Sequence, residues 1–314
     1  MTKVFIDGSA GTTGLRIHDR LKNREDINLL TIDYEKRHNI DLRREALNEA
    51  DIVFLCLPDD AAIESVSLID GQNDVVIIDT STAHRVSPGW VYGFPEFPGQ
   101  RDLIHSAKRI ANPGCHASGF ICLIYPLIKA DILPSTSLLT CYSLTGYSGG
   151  GKKMISEYES ANETGTLNAP RIYGLNQNHK HLKEMTRIPG LTHAPIFSPI
   201  VANYFSGMTT VVSLFKEEIS GTIEQIKDIY RTLYHGPIVH YEEKDDEKGM
   251  FSSSRFTDRD DMEVLVYGND ERIALISRFD NLGKGASGAA IQNMNIVMGI
   301  DETTGLRIGG HSAQ

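Results

Sequence analysis

The chain has 314 residues, 40% of them hydrophobic, and a formal net charge of −10. That length builds one large or two modest domains with real cores. The acidic balance excludes a broad electrostatic footprint for nucleic acid or an anionic membrane, leaving at most a local basic pocket for a small anion. No apolar run is long enough to span a bilayer, and the opening Met1-Thr2-Lys3-Val4-Phe5 passes straight into strand-like sequence without a signal peptide. A cytoplasmic location, with neither nucleic acid nor membrane as partner, is the expectation.

From the N-terminus, Val4-Phe5-Ile6 reads as a short buried strand that runs into Gly8-Ser9-Ala10-Gly11-Thr12-Thr13-Gly14 and then into a helix carrying Ile17 and Leu21 on one face. Further strands are expected at 27–32, 51–57 and 75–78, separated by helical segments near 43–50 and 60–69. This βαβ series points to a parallel sheet covered by helices. In such a unit the glycines let the backbone approach a pyrophosphate, whose charge the following helix N-terminus holds. The spacing is G-x-x-G-x-x-G rather than G-x-G-x-x-G, and glycine-rich βα turns also arise for steric reasons alone, so it is the strand–loop–helix context that favours a dinucleotide site at Gly8, Ser9, Gly11, Thr12, Thr13 and Gly14. The choice of cofactor is divided: Asp33 at the end of the second strand suits the ribose 2′-hydroxyl of NAD, whereas Lys36 and Arg37 suit the 2′-phosphate of NADP.

Asn112-Pro113-Gly114-Cys115-His116 is a sharp turn that delivers a cysteine to the start of the apolar run 119–128. Free N–H groups and the positive dipole end of a helix stabilise an anion, so a thiol placed there ionises near neutral pH. The competing reading is a buried cysteine that packs as a small hydrophobe. Cys56, Cys122 and Cys141 have apolar neighbours and read as core. With no C-x-x-C pair and no finger spacing, neither zinc nor a disulfide framework is indicated, and no metal site is expected.

A nicotinamide site and a reactive thiol in one chain suggest hydride chemistry on an acyl group held as a thioester, which also needs an acid/base. His116 follows Cys115 directly, and neighbours on a helix diverge by about 100°, so it is not the expected partner. In Asn178-His179-Lys180-His181-Leu182-Lys183-Glu184, His181 and Glu184 share a face if the segment is helical. Spacing leaves three readings open: a solvated helix start, catalysis, or part of a metal site. The run Glu242-Glu243-Lys244-Asp245-Asp246-Glu247-Lys248 reads as a solvated loop. Strand-like runs follow at 138–144, 208–215, 263–267 and 273–279, with helices at 223–233 and 285–299; the small residues Gly285 to Ala290 allow the last helix to approach backbone or cofactor closely.

These pieces resemble, in order along nearly the whole chain, the N-acetyl-γ-glutamyl-phosphate reductases of the shorter bacterial type, relatives of the aspartate-semialdehyde dehydrogenases. The resemblance is carried by the Gly8 to Gly14 loop, Asp79-Thr80-Ser81-Thr82-Ala83-His84-Arg85, Tyr92-Gly93-Phe94-Pro95-Glu96, Asn112-Pro113-Gly114-Cys115, His179-Lys180-His181-Leu182-Lys183-Glu184 and Asp280-Asn281-Leu282-Gly283-Lys284-Gly285. It implies NADPH-dependent reduction of an acyl phosphate in arginine biosynthesis, with Cys115 as nucleophile, His181 as acid/base and Glu184 holding substrate or histidine. It implies NADP, with Lys36 or Arg37 making the difference; Arg37 and Gly285 join the cofactor residues. The segment 79–85 departs from the Asp-Leu-Ser-Ala-Asp-Phe-Arg common in the family. An anionic small-molecule substrate needs cations, and among Arg85, Lys152, Lys153 and Arg171 the expected binders are Arg85 and Lys152.

The expected architecture is α/β: a doubly wound Rossmann-type dinucleotide-binding domain from 1–115 plus 285–314, and an α/β catalytic and dimerisation domain, 116–284, with a mixed, largely antiparallel sheet. A homodimer or homotetramer is expected from the family. The alternatives are an aspartate-semialdehyde dehydrogenase acting on another chain length and, from a different class, a nicotinamide-binding thiol redox sensor.

Overall fold

In the computed structural model of the chain, residues 1–71, 73–160 and 165–309 are described. The chain divides into two compact units, Met1–Gly114 with Ala286–Leu306, and Cys115–Gly285 with the chain from Arg307. Cys115, Gly285 and the chain from Arg307 thus group with the second unit although the sequence reading placed them in the first domain. The last residues of that reading, 310–314, lie outside the described residues.

The first unit is built on β1 (Thr2–Asp7), α1 (Thr12–Leu21), β2 (Ile27–Leu30), α2 (Ile40–Glu49), β3 (Ile52–Leu55), α3 (Asp59–Ser67), β4 (Val76–Asp79), β5 (Val91–Tyr92), α4 (Gln100–Ser106) and β6 (Arg109–Ala111). Its six strands are all parallel, in the order β2-β1-β3-β4-β6-β5. β3 and β4 are buried along their whole length, as strands covered on both faces must be. Alternate residues feed two cores. Val4, Ile6, Phe54 and Ile78 meet Ile17 and Leu21 of α1 with Ile291 and Met294 of the C-terminal helix Gly288–Val297; Phe5, Val53 and Ile77 meet Leu47 of α2 and Ala62 of α3. α2 starts three residues before the expected 43, because the Asn39 side chain caps the N–H groups of Asp41 and Leu42 at 3.0 and 3.1 Å.

The second unit contains α5 (Cys115–Lys129), β7 (Thr140–Gly146), α6 (Gly151–Ser160), β8 (Arg171–Ile172), α7 (Leu182–Arg187), β9 (Ile196–Ala202), β10 (Met208–Phe215), α8 (Ile223–Leu233), β11 (Val239–Tyr241), β12 (Met262–Gly268) and β13 (Arg272–Phe279). Its seven strands run in the order β11-β12-β13-β10-β7-β9-β8, antiparallel except for the β7/β9 and β11/β12 pairs. α5 packs on β10 and β13, and α8 on β12. Pro126 lies inside α5 and has no N–H to give the Cys122 carbonyl; Tyr234, just past α8, donates its hydroxyl to that carbonyl at 2.6 Å instead.

One expectation fails here. The acidic run 242–248 is not a simple solvated loop, because Asp245 and Glu247 reach the fully buried Arg278 of β13 at 3.0 and 2.8 Å, and Glu263 of β12 pairs with the same guanidinium. A buried arginine needs its charge matched and its donors filled, and the run supplies both.

Candidate active site

β1 ends at Asp7 and the chain turns at once through Gly8, whose φ is +89° and whose added Cβ would lie 2.3 Å from the Cys56 carbonyl oxygen. At Gly14, in the first turn of α1, an added Cβ would lie 2.4 Å from the Gly8 carbonyl oxygen. The Gly11 N–H closes the loop by donating to the Gly8 carbonyl at 2.9 Å, and Gly11 itself meets nothing nearer than 3.4 Å. The loop is therefore wound as tightly as backbone allows at its first and third glycines and open at its second. Gly11 brings no side chain to cap the first turn of α1 and no acidic residue stands in that turn, which suits its N–H groups to an anion. Ser9 is exposed, and Thr12 and Thr13 are half-buried along the same turn.

Beyond β2, Asp33 is exposed and Lys36 stands 3.9 Å from it. Arg37 is half-buried, its guanidinium 3.8 Å above the Tyr34 ring and one Nη donating to the Tyr34 carbonyl at 2.6 Å. A stacked, partly pinned arginine is well placed for a phosphate beyond the second strand.

At the end of β4, the buried Asp79 receives the Ser81 N–H and hydroxyl, both at 2.8 Å, and His84 Nδ1 at 2.7 Å. The His84 ring stacks on Trp90 with centroids 4.0 Å apart. His84, one of the residues by which this segment departs from the sequence common in the family it resembles, thus has its own support. Arg85 is buried, with Nε donating to the Asn112 carbonyl and one Nη to the Thr80 carbonyl, each at 3.1 Å. The Asn112 side chain donates to the Ala286 carbonyl at 3.0 Å and accepts from Asn293 at 3.2 Å. The turn before Cys115 is therefore fixed from several sides.

In the second unit Cys115 is the first residue of the fifteen-residue α5, with no acidic side chain in that helix's first turn. Gly285 faces it: an added Cβ would lie 3.0 Å from the Cys115 Cβ. This bare position, taken from sequence as a cofactor contact, leaves space beside the thiol. Cys122 and Cys141 are buried, and burial pushes Cys141 far up and Cys56 up to about 12, so these thiols stay protonated.

His116 is buried and its nitrogens are both engaged, Nδ1 with the Ser143 hydroxyl at 2.8 Å and Nε2 with the Tyr173 hydroxyl at 2.7 Å. Burial, helped by neighbouring His179, holds His116 down to about 3, so the ring is neutral. His179, His181 and Phe197 gather around it, with centroids 5.7, 5.7 and 5.2 Å from the His116 ring. His181 and His179 meet edge to face at 4.7 Å. His181 immediately precedes α7, and Glu184 stands in that helix's first turn. Both are buried, at 5% and 1% exposure, which overturns the solvated-helix-start reading: α7 packs on α5 and turns this face inward. Among the described residues no group of three or more His, Cys, Asp or Glu side chains is positioned to hold a metal ion.

The remaining cations are spread out. Lys152 and Lys153 are exposed at the start of α6, where Lys152 helps line an open depression of about 350 Å³ with Ile155, Ser156, Glu159 and Ser160. Arg171 is tied to the Tyr158 hydroxyl at 2.9 Å. Sequence reasoning missed Ser143 and Tyr173, whose partner His116 lies 27 and 57 residues away along the chain and gives no local spacing signal, and the Asp79–His84 pair, formed within the turn that follows β4.

Residues 3–107 match the family described as semialdehyde dehydrogenase, NAD binding domain, and residues 115–281 match semialdehyde dehydrogenase, dimerisation domain. The chain is 43% identical over 321 residues to N-acetyl-gamma-glutamyl-phosphate reductase 2 of Nostoc sp., covering 97% of this chain and 99% of that one. It is 42% identical over 307 residues to the N-acetyl-gamma-glutamyl-phosphate reductase of Brucella ovis, covering 95% and 99%. Among solved structures it is similar in fold to aspartate semialdehyde dehydrogenase from Francisella tularensis, with TM-score 0.69 and 14% identity over 95% of this chain and 100% of that one. No helix among the described residues is long and apolar enough to cross a membrane.

Proposed function

The chain belongs to the N-acetyl-gamma-glutamyl-phosphate reductases of the semialdehyde dehydrogenase family, and we propose that it reduces N-acetyl-γ-glutamyl phosphate to N-acetylglutamate 5-semialdehyde and phosphate, in arginine biosynthesis, with Cys115 as nucleophile. The observation that carries this reading is Cys115 itself, at the head of a long helix without a first-turn acid, beside a bare glycine and next to a buried group of imidazoles. Helix-end N–H groups favour the thiolate and then the oxyanion that forms when sulfur attacks the acyl carbon. The new C–S bond displaces phosphate, which leaves with the electron pair of the broken C–O bond, and Cys115 is left as a thioester. NADPH, when bound on the Gly8 to Gly14 loop, supplies the hydride that takes the thioester to the aldehyde level. His181 holds the proton that the thiohemiacetal oxygen gives up as the C–S bond breaks and the thiolate returns, while Glu184, one turn on, orients substrate or imidazole.

NADP rather than NAD is supported by Arg37, stacked on Tyr34, and by Lys36, which stands 3.9 Å from Asp33 just beyond the strand. Arg85 and Lys152 are the cations for the anionic substrate. A homodimer or homotetramer in the cytoplasm completes the reading, supported by the match to a dimerisation domain.

The test is phosphate-dependent reduction of NADP⁺ by N-acetylglutamate semialdehyde, with NAD⁺ and aspartate semialdehyde run in parallel. Rapid NADPH formation with the acetylated aldehyde is expected, and Cys115→Ala should abolish it while leaving NADPH binding intact. Activity only with aspartate semialdehyde would move the assignment to the relative, and turnover by Cys115→Ala would remove the covalent route.

A further inference from the structure

The last residue of β1 is a carboxylate set in an apolar layer. The two-residue period of a strand places Asp7 on the face of Phe5, which packs with Leu55, with Leu47 of α2 and with Ala62 of α3, and Asp7 is only 4% exposed. Its Oδ2 accepts from Arg43 of α2, Nη2 at 3.1 Å and Nε at 3.4 Å, and from the Ser65 hydroxyl of α3 at 2.8 Å. The same Nη2 donates to Ser65 Oγ at 2.7 Å, and Nη1 donates to the exposed Glu64 at 2.9 Å. Sealing an acid and an arginine together carries a desolvation penalty that apolar side chains at both positions would not, so stability alone does not account for the pair.

The pair adjoins the glycine loop. Asp7 directly precedes Gly8, and residues 8–14 carry no charged side chain, so Asp7 is the full charge that leads into the loop and the head of α1. Joining β1 to α2 and α3 through one carboxylate oxygen fixes the point from which the loop departs. It also sets a negative charge beside a site for an anion. We propose that Arg43 cancels that charge: Asp7 anchors the start of the Gly8 to Gly14 loop, and Arg43 keeps the anchor from repelling the pyrophosphate of the nicotinamide cofactor. This deepens the reading of that loop as the cofactor site and rests on it. Glu64, the other acid on Arg43, lies in solvent, where its charge is screened and does not undo the cancellation. Arg43 acts through Asp7 and is a positioning residue.

The test is calorimetric titration of the full chain with NADPH across a double-mutant cycle. An uncancelled unit charge roughly 10 Å from an anion, at an effective dielectric of about 20, changes affinity by about tenfold. Arg43→Met should therefore bind NADPH about tenfold more weakly than the wild type. Asp7→Asn combined with Arg43→Met leaves neither charge and should restore the wild-type affinity. A merely structural pair gives the opposite result, because the double variant lacks the whole ion pair and would bind no better than Arg43→Met. Removing Arg43 strands a buried charge, so a thermal melt accompanies each titration. Should Arg43→Met fail to fold, Asp7→Asn carries the test, since it leaves the Arg43 charge unmatched beside the loop and should tighten NADPH binding by a similar factor. Unchanged affinity in folded Arg43→Met, no recovery in the double variant, or no tightening in Asp7→Asn overturns the proposal while the loop reading stands. A wild type that binds no NADPH would end the loop reading and the proposal with it.

Discussion

At the scale of single residues, burial decides what each histidine does. His116 is held down to about 3 in the fold, against 6.5 for an ordinary histidine. The unfolded chain therefore takes up a proton below about 6.5 that the folded chain refuses, and stability falls as pH drops from there towards 3. His116→Gln removes this linkage, so the decline in melting temperature between pH 7 and pH 4 should become shallower than in the wild type, whatever the loss at neutral pH. An unchanged slope would show that other groups cause the acid sensitivity. The place of Cys115 at the head of a helix was legible in the sequence because its signal is local: a proline–glycine turn entering an apolar run. The burial of His181 and Glu184 was not, because α7 is short and exposed-looking on its own and turns inward only through contact with α5. The solvated-loop reading of 242–248 failed for the same reason, since the run's buried partner Arg278 lies on β13.

At the scale of elements, the loop entering α1 separates two uses of glycine. Gly14→Ala would set a Cβ 2.4 Å from the Gly8 carbonyl oxygen, so both melting temperature and NADPH affinity should fall. Gly11→Ala meets nothing nearer than 3.4 Å and should fold normally, yet lose at least about tenfold in NADPH affinity, because its methyl occupies the open middle of the cradle. Calorimetric titration with a parallel melt separates the two; equal NADPH affinity in Gly11→Ala and wild type would place the pyrophosphate elsewhere. α5 offers a second case. Tyr234→Phe removes the hydroxyl that donates to the Cys122 carbonyl where Pro126 has no N–H to offer it. A loss of about 1 kcal/mol in denaturant unfolding is expected, and no measurable loss would mean that this hydrogen bond does not stabilise α5. The βαβ series was legible because alternating periods survive in isolated segments, whereas the short β5, α4 and β6 went unseen: two to seven residues carry too little periodicity to register.

At the scale of the whole molecule, the sheet of the second unit bears on assembly. Its inward residues Cys141, Ser143 and Phe197 are buried, Ser143 against His116 of α5. The alternate residues face the other way, and over the central strands Val211, Leu265 and Ile276 are covered by Phe251. Toward the other end of the sheet that cover runs out: Tyr142, Ile172 and Ile196 are 44%, 55% and 60% exposed on β7, β8 and β9. An apolar strip of this kind on a sheet face is the normal mark of a subunit contact. The occupant it fits is a second copy of the chain, because the unit matches a dimerisation domain along its length. Tyr142→Asp places a charge in that contact without touching the core. If the strip forms the interface, dimer affinity should fall by about 2 kcal/mol or more, the scale of a central interface residue. Sedimentation at micromolar concentration should then show monomer where the wild type is associated, with the melt of the isolated subunit unaltered. An undiminished assembly in Tyr142→Asp would move the contact to another face, and a monomeric wild type would end the oligomer reading altogether.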